Sequence, residues 1–233
     1  MVQKKPKLNK KILAPRKEET EYARWLRKLL TGFWTSTTPI FEAALILPKH
    51  VNVNNVLNKN YVDIFLSKVG FKTLNKVVSD SLERSVAYFN EPISQLSPEV
   101  LDRAVSFEKQ EKTKISEVLE SEFAKRKRNL VAFRASVLFD SPEKVELFSK
   151  KYEKPKYAFT DTWSRTEING LNRDLALMQA TKLGYTRCRW DTSGDERVRE
   201  SHRELNGKVF DIRNLPKEYN DYNCRCVLTP IFD

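Results

Sequence analysis

At 233 residues, the chain is long enough to bury a core as one large domain or two small ones. Hydrophobic residues make up 40% and charged residues 31%, which suits a globular protein with much exposed helix surface and no apolar run near the roughly 20 residues of a membrane span. The net charge is +11, and three cysteines, two of them one residue apart, make a poor disulfide framework, which points to reduced thiols or a metal site in a cytoplasmic setting.

The positive charge is concentrated at the start. Lys4, Lys5, Lys7, Lys10, Lys11, Arg16 and Lys17 stand in residues 1–17 without one acid, so seven of the net eleven charges belong to a basic arm on a nearly balanced body. Such an arm binds phosphate backbones or acidic protein surfaces through counterion release without reading sequence, or serves as a solubilising tail. It lacks the apolar core of a secretory signal, so export by that route is not expected.

The next element is predicted over Glu18–Leu30. Tyr22, Trp25, Leu26, Leu29 and Leu30 recur at three- and four-residue spacings, and Gly32 is a plausible stop. Residues 35–58 are less regular, broken by Pro39 and Pro48, and helical spacing resumes between Tyr61 and Val86 on either side of Gly70. No glycine occurs between Gly70 and Gly170. Ser97-Pro98-Glu99 reads as a helix start, with Ser97 as N-cap and Pro98 in the first turn. With no further breaker before Pro142, one long helix or two abutting helices follow, with a stripe of Leu101, Val105, Ile115, Val118, Leu119, Ala124 and Leu130. Within it, the run 125–128 (Lys-Arg-Lys-Arg) is either a solvated, charge-compensating face or a phosphate or partner contact.

The clearest helix spans Asp161–Leu183. Ile168, Leu171, Leu175 and Met178 follow a 3-4-3 spacing, Thr160 or Asp161 can cap it, and Gly184 ends it. Chain character then changes. Tyr185–Trp190 alternates like a strand with Thr186, Cys188 and Trp190 on one face, and residues 192–194 form a turn. Asp195–Leu205 makes a short helix ending at Asn206-Gly207, and Lys208–Phe210 and Cys224–Phe232 read as further short strands. The expected fold is predominantly α: a basic arm (1–17), a helical body with long helices (18–160), and a small α+β C-terminal module of short strands (161–233).

The chemistry-bearing residues gather in that module. If Cys224-Arg225-Cys226 is extended, its sulfurs lie about 7 Å apart on one face, given a rise of ~3.3 Å per residue. A disulfide would be strained there, whereas zinc bound by both thiolates, His202 and Cys188 would be a closed structural site. The alternative is that Cys188 packs as a small hydrophobe while Cys224 and Cys226 are reduced, half-buried thiols. Asp195, Arg199 and His202 share a face of the short helix. They suit either a general base or metal-dependent nuclease site, or a structural arrangement. In the structural case Asp195 caps the helix, Arg199 pairs with it, and His202 bonds to the Cys224–Cys226 strand. No Ser/His/Asp order, phosphate-cradling loop or paired metal carboxylates completes an active site, and no helix-turn-helix or base-reading cluster is present. Arg165 and Glu167, with Arg189 and Arg225 nearby, suggest ion pairs that clamp a mini-domain around Trp190.

In order, these residues are Arg165-Thr166-Glu167 with Asn169 and Asn172 downstream, then Trp190, Thr192, Asp195, Arg197-Val198-Arg199, His202, Gly207 and Asn223-Cys224-Arg225-Cys226. That series, from about Arg165 to Pro230, resembles the Mu F-like minor head proteins of tailed bacteriophages. Residues 15–30 also look like the helical opening of such proteins. The loop from Ile212 to Asn223 is shorter than the family's and lacks its tryptophan and proline-glycine. Relatives can carry C-terminal toxin or nuclease domains, none of which is expected after Asp233. The resemblance implies a non-enzymatic minor head protein of a phage or prophage, made in the host cytoplasm and placed inside the head. Its implied partners are the portal protein, the inner capsid and packaged double-stranded DNA, with roles in genome packaging and ejection. The competing expectation is a metal-dependent nuclease or processing enzyme using Asp195, His202, Cys224 and Cys226.

Overall fold

The computed structural model describes residues 15–58, 60–136 and 143–231. The chain is predominantly helical, with a small three-stranded sheet near its C-terminal end. Helix α1 spans Arg16–Leu45, α2 Val53–Val56, α3 Tyr61–Lys68 and α4 Lys72–Ala87. Helix α5 runs from Pro98 to Ser136, α6 from Glu143 to Lys151 and α7 from Phe159 to Lys182. The sheet strands are β1 (Arg187–Asp191), β2 (Val209–Asp211) and β3 (Val227–Ile231), with α8 (Glu200–Leu205) between β1 and β2. Among the described residues, no helix is long and apolar enough to cross a membrane.

Two compact units divide these elements. The first holds the described residues up to Trp25, Lys72–Lys109 and the residues from Ala158 onward. Its centre is α7, which buries Ile168, Leu171 and Leu175 completely. The same helix buries polar side chains that need partners. Asn169 Nδ2 donates to Glu19 Oε1 at 2.8 Å, Asn172 Nδ2 to Ser81 Oγ at 3.0 Å, and the Ser164 hydroxyl to the Glu19 carbonyl. Met178, expected on the apolar stripe, is 37% exposed, and Leu177 is buried instead because the sheet covers that side of the helix end. Gly184 adopts φ +86°, the left-handed conformation that ends a helix without a Cβ clash.

In the sheet, β1 is central and antiparallel to both neighbours, in the order β2-β1-β3. Cys188 lies opposite Phe210 and Pro230, and Trp190 opposite Leu228. Period-2 alternation therefore sends Cys188 and Trp190 into one apolar cluster with Leu177, Leu228, Cys224 and Cys226. Thr186, placed on that face from sequence, precedes β1 and is exposed.

The second unit comprises Leu26–Phe71 and Gln110–Tyr157. Phe41, Ala44, Leu45, Val53, Leu57, Leu130, Phe133 and Phe148 form its core. Helix α1 does not stop at Gly32, as the spacing had suggested, but runs through it and through Pro39. A mid-helix glycine costs only about 1 kcal/mol relative to alanine, less than is gained by burying Phe33, Phe41 and Leu45 on the continued face. Arg126, expected on a solvated or ligand-facing run, is buried instead. It donates to the Trp34 carbonyl at 3.0 Å and to Thr37 and Thr38 hydroxyls at 3.1 and 3.0 Å, and lies 4.0 Å above the Trp34 ring. Burial lowers its pKa to about 10. Leu101 and Val105 of the expected α5 stripe are exposed, whereas Val100, Ala104 and Phe107 are buried. The polar intervals in this helix allow more than one phase, and packing selects among them.

Candidate functional site

Strand β1 leaves the sheet at Asp191, and the chain must return to pair as β2. Asn206 fastens that excursion, its Oδ1 accepting from both the amide and the hydroxyl of Thr192 at 3.0 Å. Gly207, at φ +79°, then donates to the Trp190 carbonyl at 2.7 Å. The helix inside the excursion is shorter than its sequence suggests. Asp195 Oδ1 accepts from the Arg197 amide at 3.1 Å in a local turn, so α8 begins only at Glu200, with Arg199 in the N-cap position. Asp195 therefore neither caps α8 nor pairs with Arg199. It pairs with Arg197, while Arg199 reaches Asp221 Oδ2 at 3.5 Å and the Tyr222 carbonyl at 2.9 Å.

His202 projects from α8 into the cluster and is only 2% exposed. Its ring meets Trp190 edge-on, with centroids 5.4 Å apart. Nε2 lies 2.8 Å from Asp221 Oδ2, and Nδ1 lies 3.3 Å from Cys226 Sγ and 3.5 Å from Cys224 Sγ. The cysteine pair is not an extended strand; β3 starts after it, at Val227. Asn223, at φ +58°, turns the chain, and the Cys226 amide donates back to Cys224 Sγ at 3.3 Å. That compact turn brings all three donor atoms within 4.8 Å of one another, closer than the spacing expected for an extended segment. Cys188, the fourth candidate ligand, is not among them. It is fully buried within the apolar cluster, where burial pushes its thiol up to about 12. Hydrogen bonds from the Cys226 thiol and amide pull Cys224 down to about 5, and the same thiol contact raises Cys226.

A second set of polar residues holds the turn from the other side. The Thr166 hydroxyl accepts from the Asn223 amide at 2.8 Å, and Arg165 Nη1 donates to Asn223 Oδ1. Arg165 also approaches Glu19 Oε2 at 3.8 Å, and Arg225 reaches the same oxygen at 3.4 Å. Burial and the neighbouring Arg225 cation hold the Arg165 guanidinium below its ordinary value. Of the expected clamps, Arg225 thus meets Glu19 and Arg189 meets Asp191, while Glu167 sits half-buried on α7. A cleft of about 230 Å³ opens over the turn, bringing together Arg165, Arg197, Arg199 and Arg225 with Asp195 and the His202–Cys224–Cys226 trio.

Lys4, Lys5, Lys7, Lys10 and Lys11 lie outside the described residues, whereas Arg16 and Lys17, assigned to the arm from sequence, open α1 as exposed residues. Sequence reasoning missed Glu19 and Asp221. Glu19 is 7% exposed and lies in the first turn of α1. Asp221 stands two residues before the asparagine of the motif, so its proximity to that motif was the available signal.

An uncharacterized protein of Haemophilus influenzae (strain Rd) is 38% identical over 74 residues, which cover 30% of this chain but 17% of that relative. The chain thus spans well under a quarter of the relative's length. No solved structure matches. Residues 148–229, which contain α7, β1, β2, the start of β3, the trio and the clamp arginines, match the family described as Phage Mu protein F like protein. That segment, about a third of the chain, is similar to the Phage Mu F-like family, whose likeness points to phage head morphogenesis.

Proposed function

We propose that the chain is a minor head protein of a tailed bacteriophage or prophage, acting in assembly by holding shape and not by turning over a substrate. The observation that carries this reading is the match of residues 148–229 to a phage head family. The clamped module supports it: three of its motif arginines are spent on neighbouring acids. Arg165 and Arg225 bind Glu19, and Arg199 binds Asp221. In this reading the protein associates with the portal or the inner capsid wall, stays inside the virion, and contributes to genome packaging or ejection. Purified particles probed for the protein, with crosslinking to portal subunits, test that placement; particles free of it would end the proposal.

The lysines of residues 1–14 contact packaged double-stranded DNA without sequence preference. Removing residues 1–14, and leaving Arg16 and Lys17 in α1, should weaken DNA retention on filters and lower the salt slope by about 4, since five lysines each displace close to one counterion. Equal slopes for the two proteins would remove the arm from the function.

The second reading, a metal-dependent nuclease, has one observation in its favour: Asp195 lines the same cleft as His202 and the two thiols. Plasmid cleavage with divalent cations, present in the full chain and lost in His202→Ala, would replace the structural reading.

A further inference from the structure

We infer that His202, Cys224 and Cys226 form a zinc site with three protein ligands, Nδ1 and two Sγ, whose fourth position opens into the arginine-lined cleft. Donor geometry is the first support. Bond lengths of about 2.3 Å to sulfur and about 2.0 Å to nitrogen at a tetrahedral centre separate N and S by about 3.5 Å. The observed Nδ1–Sγ distances are 3.3 and 3.5 Å, and all three donors lie within 4.8 Å. An ion therefore enters with small side-chain shifts.

The histidine is also oriented for ligation. An ionised carboxylate only accepts, so the 2.8 Å contact from Asp221 Oδ2 places the neutral ring's proton on Nε2. The Nδ1 lone pair then faces both sulfurs. Asp221 is itself held by Arg199, which gives the ligand an outer-shell support of the kind metal-bound histidines use. Two thiolates and an imidazole select a borderline-soft ion over magnesium, calcium or manganese.

The surroundings supply the rest. The three ligands are 2–6% exposed and packed in one cluster with Trp190, and all three line the cleft, which gives a water ligand access. Cys188 contributes no ligand, so this is not the closed four-residue site that the cysteine count suggested. Its structural effect is to tie α8 to the turn preceding β3, elements joined otherwise by side-chain hydrogen bonds. The inference stands apart from head placement: an unmetallated protein in virions would defeat it and leave that reading intact.

The test uses the full chain, purified without a histidine tag. Elemental analysis should find about one zinc per chain, and cobalt exchanged into the site should give sulfur-to-metal charge-transfer bands with intense tetrahedral ligand-field bands. Cys188→Ser should keep both signals. Asp221→Asn should weaken zinc binding by about 10–100-fold. Folded wild-type protein that holds no zinc and yields no charge-transfer band with cobalt overturns the site, whether or not ligand variants fold. Loss of metal in Cys188→Ser equal to that in Cys226→Ser would overturn the assigned ligand set.

Discussion

Glu19 concentrates more of the clamped module's polar contacts than any residue the motif names. Its carboxylate serves Asn169, Arg165 and Arg225, and its carbonyl accepts from Ser164. Glu19→Ala would take an acceptor from buried Asn169 and the counter-charge from two partly buried guanidiniums, so it should cost about 2–3 kcal/mol in urea unfolding. Glu19→Gln keeps an acceptor for Asn169 and should cost about half as much. Equal loss in both would assign the effect to packing and not to the carboxylate. Neither Glu19 nor Asp221 announces itself in the sequence, because a lone acid in a charged helix or loop resembles any solvated one. By contrast His202, Cys224 and Cys226 were legible as a group from their chemistry. Their contact distances were not, since the turn at Asn223 replaced the assumed strand.

At the scale of elements, local signals were read most accurately. Ser97 accepts from the Val100 amide at 3.3 Å as the N-cap of α5, and Gly184 closes α7. These signals lie within a few residues of the feature they specify. The two glycines of α7 and its end make a paired prediction. Gly184→Ala forces a side chain into the left-handed region at φ +86° and should destabilise by about 1–2 kcal/mol. Gly170 lies mid-helix with nothing within 4 Å of an added Cβ, so Gly170→Ala should stabilise by about 0.5–1 kcal/mol. Calorimetric melting that shifts both variants in the same direction would contradict this account. Helix α1 shows where local signals fail: Gly32 and Pro39 read as breaks, yet burial of the flanking aromatic residues carries the helix through both.

Across the whole molecule, buried acids with high pKa values set an alkaline limit. Burial pushes Cys188 from 9.0 up to about 12 and raises Tyr88, Tyr157, Tyr185 and Tyr219 above their ordinary 10.0. Between those values the folded chain keeps protons that the unfolded chain has released. The contribution of these groups is therefore fully present below about pH 8 and falls as pH rises toward 12, by up to about 1.4 kcal/mol per unit for each group. Urea midpoints should drop between about pH 8 and pH 11, and less steeply in Cys188→Ala. A flat profile would mean that these groups are hydrated in solution. The sequence by itself determined the helix-rich class, the late switch to short strands, and the likeness to the phage family, because periodicity, capping and an ordered motif are written in neighbouring residues. Only the tertiary structure decided that Glu19 and Arg225, 206 positions apart, share one clamp, that Arg126 is a buried strut, and that Cys188 stands outside the trio. Those outcomes depend on which surfaces pack together, and packing joins residues whose separation along the chain carries no local signal.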